Sequence, residues 1–132
     1  MGLVLNIIIS GLISGSVYAL LAIGFSLIFG VARIVNIAHT AFYMLAAYCI
    51  YFVSHKMGFH PVWGMLAAIV LVTLLGMISY RILIKPIREH EAAVLIATIA
   101  LAVALQEIML LKFTGTYLSV PSLINGYFLI LG

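Results

Sequence analysis

Long apolar runs separated by short polar segments organise this chain. Four runs come close to the roughly 20 residues that a helix needs to cross the hydrocarbon core of a bilayer, and they cover residues 4–29, 37–53, 62–80 and 92–111. The breaks between them contain charged residues, glycine or proline. An isolated strand cannot satisfy its backbone in lipid, and no alternating barrel pattern is present. We therefore predict an all-α integral membrane protein with about four transmembrane helices.

The last twenty residues have a different pattern. Residues 114–116 are small and polar, and Asn125-Gly126 separates two short apolar runs. An Asn-Gly pair between apolar runs is a strong signal for a hairpin. The sequence thus predicts a short outer hairpin or loop over residues 113–132.

Composition and charge agree with a membrane location and predict an orientation. Hydrophobic residues make up 67% of the chain and charged residues 7%, whereas soluble domains carry about 25% charged residues. The basic residues sit singly or in short clusters beside the spans, as topology signals do, so no nucleic-acid partner is expected. With the N-terminus outside, two basic residues lie outside and four face the cytoplasm, namely Arg33, Arg81, Lys85 and Arg88. This asymmetry predicts an outside N-terminus.

Small residues mark a packing face on the first predicted helix. Gly11 and Gly15 have the GxxxG spacing, which lets helix backbones approach closely in lipid. We expect this face to pack against another helix, in this chain or in another one.

The polar residues between the first two apolar runs are the main candidates for a functional site. At the edge of hydrocarbon such groups are costly unless they have a partner or a task. Asn36 is placed to cap the second helix by accepting from the amide of Ala38 or His39. Alternatively, Asn36 and His39 stand at the open end of a helix that enters the membrane, where free amides face a polar solute. Tyr43 lies one turn from His39 on the same face.

Few residues could support catalysis or cofactor binding. The chain has no aspartate, and two of its three glutamates sit in one inner loop while the third lies at the far end of the next helix, so paired-carboxylate catalysis is hard to build. A four-histidine metal site would have to cross the bilayer, and no lysine follows a glycine-rich phosphate loop. We therefore expect no catalytic residue, no metal and no cofactor bound by this chain. Thr98, expected to donate to the carbonyl of Val94, joins Asn36, His39 and Tyr43 as a candidate for lining a substrate pathway.

Short motifs occur in a characteristic order along the chain: GSVYAL (15–20), IFG (28–30), NIAH (36–39) and the residues that follow to 48, KPIR (85–88), and LIATI (95–99) leading to LQ (105–106). In this order they resemble the permease subunits of branched-chain amino-acid ABC transporters. The resemblance implies a multi-pass permease of the cell inner membrane in an ATP-driven importer. It implies leucine, isoleucine and valine as substrates, with urea or short amides as the nearest variants. The implied partners are a second homologous permease, cytoplasmic ATPases that use the ATP, and an extracytoplasmic solute-binding protein.

The chain departs from the family pattern in two places. Thr40 and Ala41 stand where the family usually has a glycine and an acid. Family members also continue through further helices and a basic cytoplasmic loop that docks on the ATPase. We therefore expect residues 1–132 to be the N-terminal part of a permease domain, with the C-terminal half and its ATPase-docking loop absent. The alternative is a small structural or pore-forming membrane protein that self-associates through the Gly11/Gly15 face.

Overall fold

Four α-helices follow one another along the described part of the chain. The structure, a computed structural model, describes residues 2–116 and residue 118. The helices are α1 (Gly2–Ala32), α2 (His39–Tyr51), α3 (Pro61–Ser79) and α4 (Glu91–Phe113), and π-helical turns extend α2 over Phe52–Lys56 and α3 over Tyr80–Ile84. The all-α prediction is confirmed. The predicted hairpin lies outside the described residues from residue 119 onwards.

Three of the helices are long and apolar enough to cross a membrane. They are α1, α3 with its π-helical turn, and α4, with 31, 24 and 23 residues. The helix predicted over residues 37–53 is present as α2, but its α-helical part has 13 residues. Its π-helical turn extends it over residues 39–56, about 27 Å at 1.5 Å per residue, which approaches the roughly 30 Å of a hydrocarbon core. The chain is a multi-pass membrane protein, and α2, predicted as a full span, is not among the three helices of the described residues that are long and apolar enough to cross a membrane.

Small residues allow α2 and α3 to cross closely. A Cβ atom built on Gly64 of α3 would lie 3.1 Å from the carbonyl oxygen of Ile50 and 3.1 Å from Oγ of Ser54. Ala68, one turn further along α3, is also buried. Gly64 and Ala68 have the small-xxx-small spacing typical of close packing in membranes. Gly64 and Ala68 thus have the same spacing as Gly11 and Gly15. In the described fold they form the close crossing of α2 and α3.

The start of α2 packs against the middle of α4. Ala38 and Ala41 form a buried cluster with Ala102 of α4. Further along both helices, the ring of Tyr48 stacks on that of Phe113 with 4.6 Å between centroids. Since both contacts occur in the same order along the two helices, α2 and α4 run in the same direction.

Helix α1 lies against this group along one edge and is otherwise uncovered. None of its residues is buried, and within the described part of the chain nothing comes within 4 Å of a Cβ atom built on Gly11 or Gly15. The partner predicted for this face is therefore not one of α2 to α4, and its packing stays a prediction. The close approach of α1 is at Gly24, where a Cβ atom would lie 2.9 Å from Nε2 of His39.

These contacts place the start of α2 deep in the membrane-spanning part. Ala102 is the middle residue of α4, about 16 Å from either end at 1.5 Å per residue. Gly24, which meets His39, lies about 12 Å before the end of α1. The sequence pattern placed this polar segment at the edge of the hydrocarbon, whereas the structure places its last residues, at the start of α2, beside the middle of α4. Residues 33–38, which are not α-helical, connect the end of α1 to this point.

Candidate functional site

A cavity of about 650 Å³ opens beside the start of α2, between α1, α2 and α3. We call it the α2-start cavity. Asn36, His39 and Tyr43 line it from one side, and Ser79 and Tyr80 line it from the end of α3. No lysine, arginine, aspartate or glutamate is among its lining residues. The apolar lining includes Val17, Leu20, Leu21, Ile28, Phe42 and Leu101.

Asn36 shapes the turn that begins α2. Its side-chain Oδ1 accepts a hydrogen bond from the amide of Ala38 at 3.1 Å, and its backbone carbonyl accepts from the amide of His39 at 3.4 Å. The predicted hydrogen bond to the Ala38 amide is therefore present, although the helix begins later than predicted and Ala38 is its N-cap residue. Asn36 also lines the α2-start cavity, so both alternatives stated for it remain compatible with its position.

The first turn of α2 leaves backbone donors open. The amide of Phe42 donates to the carbonyl of Ala38 at 3.0 Å. For the amides of Thr40 and Ala41, the structure records no acceptor among the described residues. The first amides of a helix have no partner within it, and the aligned peptide dipoles make this end electropositive. The electropositive start of α2 lies beside the cavity, which Asn36, His39 and Tyr43 line, whereas Thr40 and Ala41 themselves are not among the lining residues.

His39 occupies its place because Gly24 has no side chain. A Cβ atom on Gly24 would lie 2.9 Å from Nε2 and 3.1 Å from Cε1 of the imidazole. The ring is half-buried between α1 and α2. Nothing in the spacing of glycines along α1 distinguishes Gly24 from Gly11 or Gly15. His39, which contacts Gly24, is fifteen residues further along the chain. Sequence reasoning therefore missed Gly24, and no local signal could have found it.

Thr98 is not part of this cavity. Its side chain is 1% exposed within α4, and it is absent from the cavity lining. Its hydroxyl donates to the carbonyl of Leu95 at 3.0 Å, so the expected bond to the carbonyl of Val94 was wrong by one residue. Of the four candidates for a substrate pathway, Asn36, His39 and Tyr43 are brought together, and Thr98 is not.

The departures from the family pattern at positions 40 and 41 have different surroundings. Ala41 is 0% exposed and packs in the alanine cluster with Ala102. A carboxylate at this position would be buried without water, which is costly at membrane depth. Thr40 is exposed, and its hydroxyl donates to the carbonyl of Ile37 at 3.2 Å. Alanine at position 41 thus allows α2 and α4 to approach closely.

The basic residues predicted to set topology lie in two connections at one end of the molecule. Arg33 follows α1, and Arg88 precedes α4. The end of α1 and the start of α4 line a common cavity there. Arg81 and Lys85 lie at the π-helical end of α3, and all four residues are exposed. Which side of the membrane this end faces stays a prediction.

Asn36→Ala is expected to destabilise the chain by about 0.5–2 kcal/mol, because the Ala38 amide loses its side-chain acceptor. The measurement is the midpoint of unfolding in detergent, followed by circular dichroism during titration with sodium dodecyl sulfate. Asn36→Ser keeps a side-chain acceptor and is expected to unfold nearer to the unaltered chain. Equal midpoints for all three chains would show that the cap contributes nothing.

Known proteins resemble this chain over most of its length. A family model described as "Branched-chain amino acid transport system / permease component" matches residues 7–128. The similar relatives include the high-affinity branched-chain amino acid transport system permease proteins LivH of Salmonella typhimurium (28% identical), LivH of Escherichia coli K12 (29%) and BraD of Pseudomonas aeruginosa (28%). No solved structure matches the chain.

These relatives are considerably longer than the chain. Each comparison covers 92% of this chain and 42% of the relative, so the chain spans less than half the length of these proteins. Their names describe transport permeases and not enzymes. Because the family model matches well over half of the residues, the chain belongs to the family of branched-chain amino acid transport system permease components.

Proposed function

We propose that this chain forms part of the translocation pathway of an ATP-driven importer of branched-chain amino acids. The observation that carries the proposal is the α2-start cavity, in which Asn36, His39 and Tyr43 around the start of α2 meet an almost wholly apolar wall. Broken helices that begin within the membrane are a recurrent way for transporters to present backbone groups to a substrate.

The chemistry of the cavity suits an amino acid with an aliphatic side chain. The electropositive start of α2 is suited to a carboxylate, and the imidazole of His39 and the hydroxyl of Tyr43 are available as acceptors for an ammonium group. Burial of an aliphatic side chain against residues such as Leu21 and Phe42 contributes about 25 cal/mol per Å² of apolar surface. Urea and short amides have little apolar surface to bury, so this wall favours leucine, isoleucine and valine.

Energy and alternating access come from other subunits in this proposal. The chain makes and breaks no covalent bond and holds no cofactor, and partner ATPases hydrolyse the ATP. A solute-binding protein delivers the amino acid from outside. The uncovered side of α1 with Gly11 and Gly15 is the surface on which a second permease, or the remainder of a longer permease, would pack.

The test is uptake of radiolabelled leucine by cells that carry the gene, compared with cells from which it has been deleted. Deletion is expected to lower high-affinity leucine uptake, and the native gene restores it. Unlabelled isoleucine and valine compete for the restored uptake, and urea does not. Lysine uptake serves as the control and should not change. Unaltered leucine uptake after deletion would contradict the proposal and favour the self-associating pore-forming protein.

A further inference from the structure

A second cavity, of about 710 Å³, lies where the end of α1 meets the start of α4. We call it the arginine cavity, because Arg33 and Arg88 both line it, each from a different connection. Its carboxylate is Glu91, in the first turn of α4. Its apolar wall includes Phe29 and Leu95. Two guanidinium groups against one carboxylate leave the cavity with a net positive charge.

The two guanidinium groups are available to a ligand. The side-chain hydrogen bonds of residues 2–116 involve neither Arg33 nor Arg88, and both residues are exposed. Guanidinium groups form paired, charge-assisted hydrogen bonds with phosphate oxygens. The nearby start of α4 adds the electropositive end of a helix dipole, which also favours a negative group.

The backbone at Arg33 is unusual for an arginine. Its φ of 52° lies in the left-handed region, where a residue with a Cβ atom is disfavoured and helices usually end with glycine or asparagine. An arginine in this position is held at the rim of the cavity by the turn that ends α1. Its amide also donates to the carbonyl of Phe29 at 2.9 Å, so the backbone of Arg33 belongs to the turn that ends α1.

Apolar residues beside the charged groups distinguish the arginine cavity from a site for a small ion. Phe29 and Val35, which line it, are exposed, and the helices that flank it are long and apolar enough to span a membrane. A ligand there meets guanidinium groups and hydrocarbon together. This combination matches a phospholipid, whose phosphate carries charge and whose acyl chains are apolar, and basic pockets between membrane helices hold anionic headgroups in this way.

We infer that the arginine cavity binds the headgroup of an anionic phospholipid, with the phosphate between Arg33 and Arg88 and an acyl chain along the wall near Phe29 and Leu95. This inference does not depend on transport of amino acids. The lipid would occupy the junction of α1, residues 33–38 and α4, and would thereby tie α1 to the rest of the chain.

Native mass spectrometry of the purified full chain tests this inference. The chain is exchanged from detergent into mixed micelles with phosphatidylglycerol or with phosphatidylcholine, and the fraction that retains lipid is measured. The double substitution R33Q/R88Q is expected to weaken phosphatidylglycerol binding about tenfold or more, since each basic residue near a lipid surface contributes about a factor of five. R33K/R88K keeps the charge and is expected to retain most of the binding.

The matched control is R81Q/K85Q, which removes the same charge at the same end but outside the cavity lining. It is expected to bind phosphatidylglycerol as the unaltered chain does. Equal losses in R33Q/R88Q and R81Q/K85Q would overturn the inference, because general attraction would then explain the binding. Displacement of the lipid by inorganic phosphate alone would also overturn it, since the occupant would then be a free anion. Circular dichroism verifies that each variant keeps its helix content.

Discussion

Gly24→Leu is expected to lower leucine uptake about tenfold or more while leaving the chain folded. A Cβ atom at this position would lie 2.9 Å from Nε2 of His39, so the imidazole must rotate away from α1. The rest of the leucine side chain then projects into the α2-start cavity, which Gly24 lines. A tenfold loss corresponds to about 1.4 kcal/mol of binding free energy. This is a modest loss for a cavity in which the His39 imidazole is displaced and the space is filled by leucine. The measurement is initial uptake of radiolabelled leucine at equal expression.

Ala22→Leu is the matched control for this prediction. Ala22 lies on α1 two residues away, is exposed, and lines neither described cavity. It is expected to leave uptake unchanged, because the added side chain meets lipid. Unfolding midpoints in detergent should be similar for both variants, since the atom displaced by Gly24→Leu belongs to a side chain that can move. Normal leucine uptake with Gly24→Leu would show that the α2-start cavity is not part of the translocation pathway.

Gly64→Val is expected to destabilise the chain by about 1–3 kcal/mol or more, the range for overpacking a tight interface. A Cβ atom there would lie 3.1 Å from the carbonyl oxygen and 3.2 Å from Cα of Ile50. These are backbone atoms and cannot rotate away, so α2 and α3 have to separate. The measurement is the midpoint of unfolding in sodium dodecyl sulfate, followed by circular dichroism.

Gly76→Val is the control on the same helix. A Cβ atom on Gly76 has nothing within 4 Å among the residues that the structure describes, and the change in backbone entropy and helix propensity is similar in both variants. It is expected to unfold at nearly the same midpoint as the unaltered chain. If both valine variants unfold alike, the close crossing at Gly64 does not contribute to stability.

Local sequence patterns predicted the positions of the helices well. The positions of α1, α3 and α4 follow from the length of apolar sequence between polar breaks, and each observed boundary lies within a few residues of the predicted one. The bond from Asn36 to the amide of Ala38 was also predictable, because donor and acceptor are two residues apart. Thr98 was less so. A threonine hydroxyl in a helix can reach the carbonyl three or four residues back, and the choice of Leu95 over Val94 depends on its rotamer.

By itself, the sequence determined that this chain is helical, lies in a membrane and has a polar segment between its first two helices, because hydropathy and turn signals act over short stretches of chain. Tertiary structure alone decided how deep that segment lies. The packing of Ala38 and Ala41 on Ala102, and of His39 on Gly24, brings the start of α2 level with the middle of α4. Residues far apart in the chain make these contacts. The local sequence around one contacting residue does not indicate which residue it contacts.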